Sequence, residues 1–144
     1  MRKDYLLMIV DRLKSVKPER FDLGNWAGSN LIPWQGRDDL SCGTIACAIG
    51  WATTIPEFRA AGFCLKKHSW LENQAEIHYQ HNGEDLKEFD AVAAFLDIDN
   101  RDAEYLFHPD EYIDQYGDEL EITGLEGIEN VIYRIQEFIK EDNR

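Results

Sequence analysis

From Ser41 to Ile55 the chain reads SCGTIACAIGWATTI and carries no charged residue. A helix without a charged face is a buried helix, so whatever this chain folds into is built around that run. Ile45, Ile49, Ala52 and Ile55 share one helical face, while Ala46, Cys47, Ala48 and Gly50 keep the other faces small. Ser41 or Thr44 can cap the start, and Pro56 ends the run. The expectation is a Gly/Ala-rich helix after Cys42, packed at the centre of the fold.

The flanking segments supply its cover. Leu6, Ile9, Val10, Leu13 and Val16 recur at helical spacing until Pro18, which predicts an opening amphipathic helix. Residues 19–40 turn to Gly, Asn, Pro and Asp with dispersed Phe and Trp, the composition of a long loop. Glu57 to Ala61 adds a further turn closed by Gly62. FCLKK and EIHYQHNG alternate over short spans and end in Asn-Gly, predicting a small β-hairpin or two edge strands near residues 63–81. From Glu84 the helical period returns with Leu86, Phe89, Val92, Ala93 and Leu96. Asn100 can cap a short helix, and Thr123 a last one striped by Leu125, Ile128, Val131, Ile132, Ile135, Phe138 and Ile139. At 144 residues this predicts one α+β domain, mostly helical.

Charge narrows the partners. Residues 1–83 carry ten Lys or Arg against nine Asp or Glu, whereas residues 84–144 carry five against nineteen, a balance of -14. That half repels phosphate backbones, which disfavours direct nucleic-acid binding, and it steers basic protein surfaces toward the chain. The N-terminal apolar run is interrupted by Asp4 and Asp11 and lacks a cleavage site, and nothing approaches the ~18 apolar residues of a membrane span. Three cysteines, an odd number, suit reduced thiols. These features predict a soluble cytoplasmic protein without a membrane partner.

Chemistry-bearing residues are sparse. Cys42, at a helix mouth, is where a thiolate would be stabilised, and His68 is among four downstream histidines that could serve as its base. The surroundings of Cys42 depart from those of papain-like proteases in cysteine spacing and in the missing Asn. Cys42 and Cys47 point about 140° apart on a helix, and His78 and His81 would lie on opposite faces of a strand, so neither pair holds a metal. Asp97-x-Asp99-x-Arg101 lacks the Gly and Glu of a calcium loop, and no Gly-rich phosphate loop is present. No cofactor is expected. The acidic segment HPDEYIDQYGDELEITG, residues 108–124, sets aromatic side chains among carboxylates. Asp110, Glu111, Tyr112, Asp114, Tyr116, Asp118 and Glu119 are its candidate partner-binding residues. The same tyrosines can also pack back onto the core.

The blocks Cys42-Gly43-Thr44-x-x-Cys47-x-x-Gly50-Trp51-Ala52, Phe95-Leu96 with Ala103-x-x-Leu106-Phe107, and Arg134-Ile135-x-x-Phe138-Ile139 resemble small, mostly uncharacterised proteins of bacteriophages and bacteria. The resemblance implies a phage or mobile-element setting and transfers no catalytic residue. By analogy with small acidic phage proteins, the expected function is non-catalytic: binding or inhibition of a host protein through a basic surface, a nucleic-acid-binding one included. The alternative is a cysteine-dependent enzyme with Cys42 as nucleophile.

Overall fold

A computed structural model describes residues 1–28, 45–67 and 74–142. The chain opens with α1 (Lys3–Lys14), whose Leu6, Ile9, Val10 and Leu13 are buried, and a short 3-10 turn at Pro18–Arg20 follows. β1 (Ala27–Gly28) precedes two five-residue helices, α2 (Ala48–Ala52) and α3 (Pro56–Ala60). Strands β2 (Phe63–Lys67), β3 (Gln74–His81) and β4 (Glu84–Lys87) lead into α4 (Glu88–Leu96), α5 (Asn100–Phe107) and the long α6 (Gly124–Asp142). The fold is α+β and mostly helical, and the described residues pack around one core cluster.

Within the described part of the uncharged run, residues 46–53 and Ile55 are buried, and only part of it is helical. Ile45 and Ala46 are extended: Ala46 accepts from the Asp22 amide at 3.1 Å and donates to the Arg20 carbonyl at 3.1 Å, so these backbone groups are spent on the Phe21 strand segment. Cys47 is the N-cap of α2, its Sγ accepting from the Gly50 amide at 3.3 Å. The proposed caps Ser41 and Thr44 lie outside the described residues. Helix α2 ends at Ala52, where the Thr53 and Thr54 hydroxyls donate to the Gly50 and Trp51 carbonyls at 2.6 Å each. Such back-bonding competes with helix continuation. All five residues of α2 are buried.

The predicted antiparallel pairing within residues 63–81 is present, as β2 against β3, within a larger sheet. β3 is its axis: β2 pairs with one edge, Cys64 opposite His78, while β1 and β4 share the other. Asn82 and Gly83, with φ of 52° and 83°, turn β3 into β4, so the Asn-Gly signal belongs to a hairpin whose second strand is Glu84–Lys87. The helix expected from Glu84 therefore begins at Glu88, because the tight turn and the ladder to β3 override the weak strand propensity of EDLK.

Phe95 of α4 joins the layers. Its ring is stacked 4.8 Å from Tyr5 of α1 and 4.3 Å from Phe63 of β2, with Phe58 of α3 edge-on at 4.9 Å and Tyr79 of β3 at 5.2 Å. Offset and edge-on pairs of this kind add to the energy of area burial. On α6, Ile128, Val131 and Ile135 are buried, but Leu125 is exposed. Gly127 lies against Ile122, where an added Cβ would come within 2.5 Å of backbone. Since 127 faces inward, 125, two residues or about 200° away, faces solvent. Among the described residues no helix is long and apolar enough to cross a membrane.

Candidate functional site

The acidic segment between α5 and α6 is an ordered projection. A 3-10 turn at Pro109–Glu111 leads into a loop closed by backbone hydrogen bonds, Asp114 N–H to the Asp118 carbonyl at 2.8 Å and Leu120 N–H to the Tyr112 carbonyl at 2.8 Å. Asp114 organises the tip, its Oδ1 accepting from the amides of Tyr116 at 2.8 Å and Asp118 at 2.9 Å. This is the local turn chemistry that Asp side chains supply. At the base, Tyr112 is 1% exposed and its hydroxyl donates to the Leu106 carbonyl at 2.5 Å. Burial raises the Tyr112 phenol above its ordinary pKa. Arg134 of α6 lies 3.9 Å over the Tyr112 ring and donates to the carbonyls of Glu111 at 2.8 Å and Tyr105 at 2.9 Å.

The candidate partner-binding residues therefore divide. Asp110, Glu111, Tyr116, Asp118 and Glu119 are exposed, with Tyr116 79% open to solvent. Tyr112 is corrected from a contact residue to a core anchor, because its ring fills the space beneath Arg134. Asp114 is half-buried and its carboxylate is committed to the tip. Ile113, 49% exposed, adds apolar surface, and a cavity of about 340 Å³ opens beside it between Pro109, Glu119 and Ile122.

A second polar cluster was not among the expected sites. On the sheet face opposite Phe95, His78 is 4% exposed. Its Nε2 lies 3.0 Å from Glu76 Oε1, and its Nδ1 lies 3.0 Å from Asp85 Oδ2. Gln80 Nε2 donates to Asp85 at 2.8 Å, and Lys66 Nζ approaches Asp85 at 3.9 Å. The hydrogen bond from His78 holds the Asp85 carboxyl below its ordinary pKa. The legible signal was period-2 spacing, which puts Glu76, His78 and Gln80 on one face, together with the Asn-Gly turn that sets Asp85 opposite Gln80.

Cys42 and His68, the residues of the cysteine-enzyme alternative, lie outside the described residues. Cys47 is 1% exposed and burial pushes its thiol up to about 12, which leaves it protonated and inert. Among the described residues no group of three or more His, Cys, Asp or Glu is arranged to hold a metal ion. Comparison with protein-family models, with curated proteins and with solved structures gives no match to this chain.

Proposed function

We propose that this chain is a non-catalytic acidic binding protein, encoded in a phage or mobile-element setting, that docks on a basic surface of a host protein and thereby engages or inhibits it. A surface that ordinarily holds nucleic acid is the natural target, because its positive field matches a protein whose second half carries a balance of -14. The reading rests on the projection at residues 109–121. Its exposed carboxylates and Tyr116 stand on a loop already fixed by Asp114, Tyr112 and Arg134. A preorganised loop loses little entropy on docking, and exposed tyrosine supplies contact area at low conformational cost.

The test is capture from host lysate with the wild type and with a variant carrying Asp110→Lys, Glu111→Lys, Asp118→Lys and Glu119→Lys. A control reverses Glu84, Glu104, Glu129 and Glu141, all exposed elsewhere. The reading predicts a retained protein that the control keeps and the projection variant loses. Equal retention by both variants contradicts it.

A further inference from the structure

A cavity of about 260 Å³ lies between the loop at Leu23–Trp26, the start of α4 and the end of α5, and it is lined by Asn25, Trp26, Glu88, Phe89, Phe107 and His108 among others. Three of these are half-buried aromatic rings in contact: Phe89 sits 5.1 Å from Trp26, tilted by 54°, and 5.3 Å from His108, stacked at 26°. Elsewhere in the fold the aromatic rings of Phe58 and Phe63 are withdrawn into the core. Here Trp26, Phe89 and His108 are left partly open around one hollow.

The electrostatics of the hollow have one sign. Glu88 is exposed at its edge, and no Lys or Arg is among its described lining residues. His108 accepts at Nδ1 from the Asp110 amide at 3.1 Å. The C-terminal end of α5, the negative end of that helix, reaches the cavity at Phe107. The positive end of α4 is answered within its own first turn by Glu88 and Asp90. Glu88 also has a left-handed backbone, with φ of 52°. A residue without glycine's freedom adopts this only when the surroundings impose it, and such residues cluster at ligand sites.

We propose that this cavity binds an alkylated ammonium group, with Trp26 and Phe89 giving the aromatic faces and Glu88 the counter-charge. Aromatic faces attract a cation through the ring quadrupole, most strongly for cations that are weakly hydrated. The volume is below the ~300 Å³ at which pockets for drug-sized ligands begin, so it suits a head group rather than a whole cofactor. The inference does not depend on the docking surface at residues 109–121.

The experiment titrates the full chain with choline and, in parallel, with its uncharged isostere 3,3-dimethylbutan-1-ol, following the indole N–H of Trp26 by NMR. Saturable shifts with choline, roughly tenfold weaker binding of the alcohol, and a similar loss in Phe89→Leu and Glu88→Gln are expected, a tenfold change being the scale of one cation–π contact. A third arm uses a peptide carrying trimethyllysine: binding tighter than choline assigns the group to a modified protein, and weaker binding assigns it to a free metabolite. Equal binding of choline and the alcohol, or variants that fold normally and bind choline unchanged, overturns the proposal. Absence of choline binding overturns it as well.

Discussion

The carbonyl oxygen of Trp26 passes so close over Gly50 that a Cβ placed on Gly50 would lie 1.8 Å from it. No side chain fits in that gap. Gly50 sits inside α2, where glycine is otherwise unfavourable, and its presence lets the Leu23–Trp26 loop lie on the helix. Gly50→Ala is predicted to destabilise the protein by about 3 kcal/mol or more, the upper range of overpacking. A shift in the urea midpoint at unchanged slope measures it. A loss under about 1 kcal/mol would show that the loop moves aside freely.

Phe95 supports a second prediction. Its ring is held between Tyr5 and Phe63, and it touches helix and sheet layers together. Phe95→Ala should cost about 3–5 kcal/mol by lost transfer energy and the cavity left behind. Tyr133→Ala on α6, at a ring 66% exposed, should fall within about 0.5 kcal/mol of the wild type. Equal effects of the two substitutions would contradict the placement of the core.

Asp85 gives the protein an acid-sensitive element. Its carboxyl is held low in the folded state by His78, below the unfolded value of about 3.9. A group depressed in this way contributes stability that is fully present above the unfolded pKa and is lost as pH falls through the folded one. The stability difference between wild type and Asp85→Asn should therefore shrink as pH falls below about pH 4. Denaturant unfolding across that range measures it, and a difference that persists unchanged at the lowest pH would contradict the ion cluster.

Cys47 should be chemically silent. With its thiol pushed up to about 12 and its side chain buried, alkylation by iodoacetamide near pH 8 should wait for unfolding. Mass spectrometry of Cys47 in native and urea-unfolded protein decides this. Modification at the same rate in both states would contradict the capping role found for its sulfur.

Periodicity in the sequence located α1 and α6 because both bury one stripe of branched side chains. It overcounted at Leu125, since the inward position of that turn is taken by a glycine, which leaves no hydrophobic signal. It also missed β4. Only Leu86 in that strand is even half-buried, and its existence follows from the turn at Asn82-Gly83 rather than from its own composition. The acidic projection was visible as composition, but composition does not distinguish Tyr112 from Tyr116. What separates them is Arg134, far along the chain, whose guanidinium covers the Tyr112 ring. The Glu76–His78–Asp85 cluster was hidden for a similar reason, because its third member arrives by strand pairing.

The central claim is that the projection is the docking surface. Amide shifts of the isotopically labelled protein, followed as the host protein captured by the wild type is added, test it most directly. The account predicts the largest changes from Asp110 to Glu121, centred on Tyr116, weakening as salt is raised because the contact is electrostatic. Changes centred on another face, with the projection unperturbed at saturation, would contradict it.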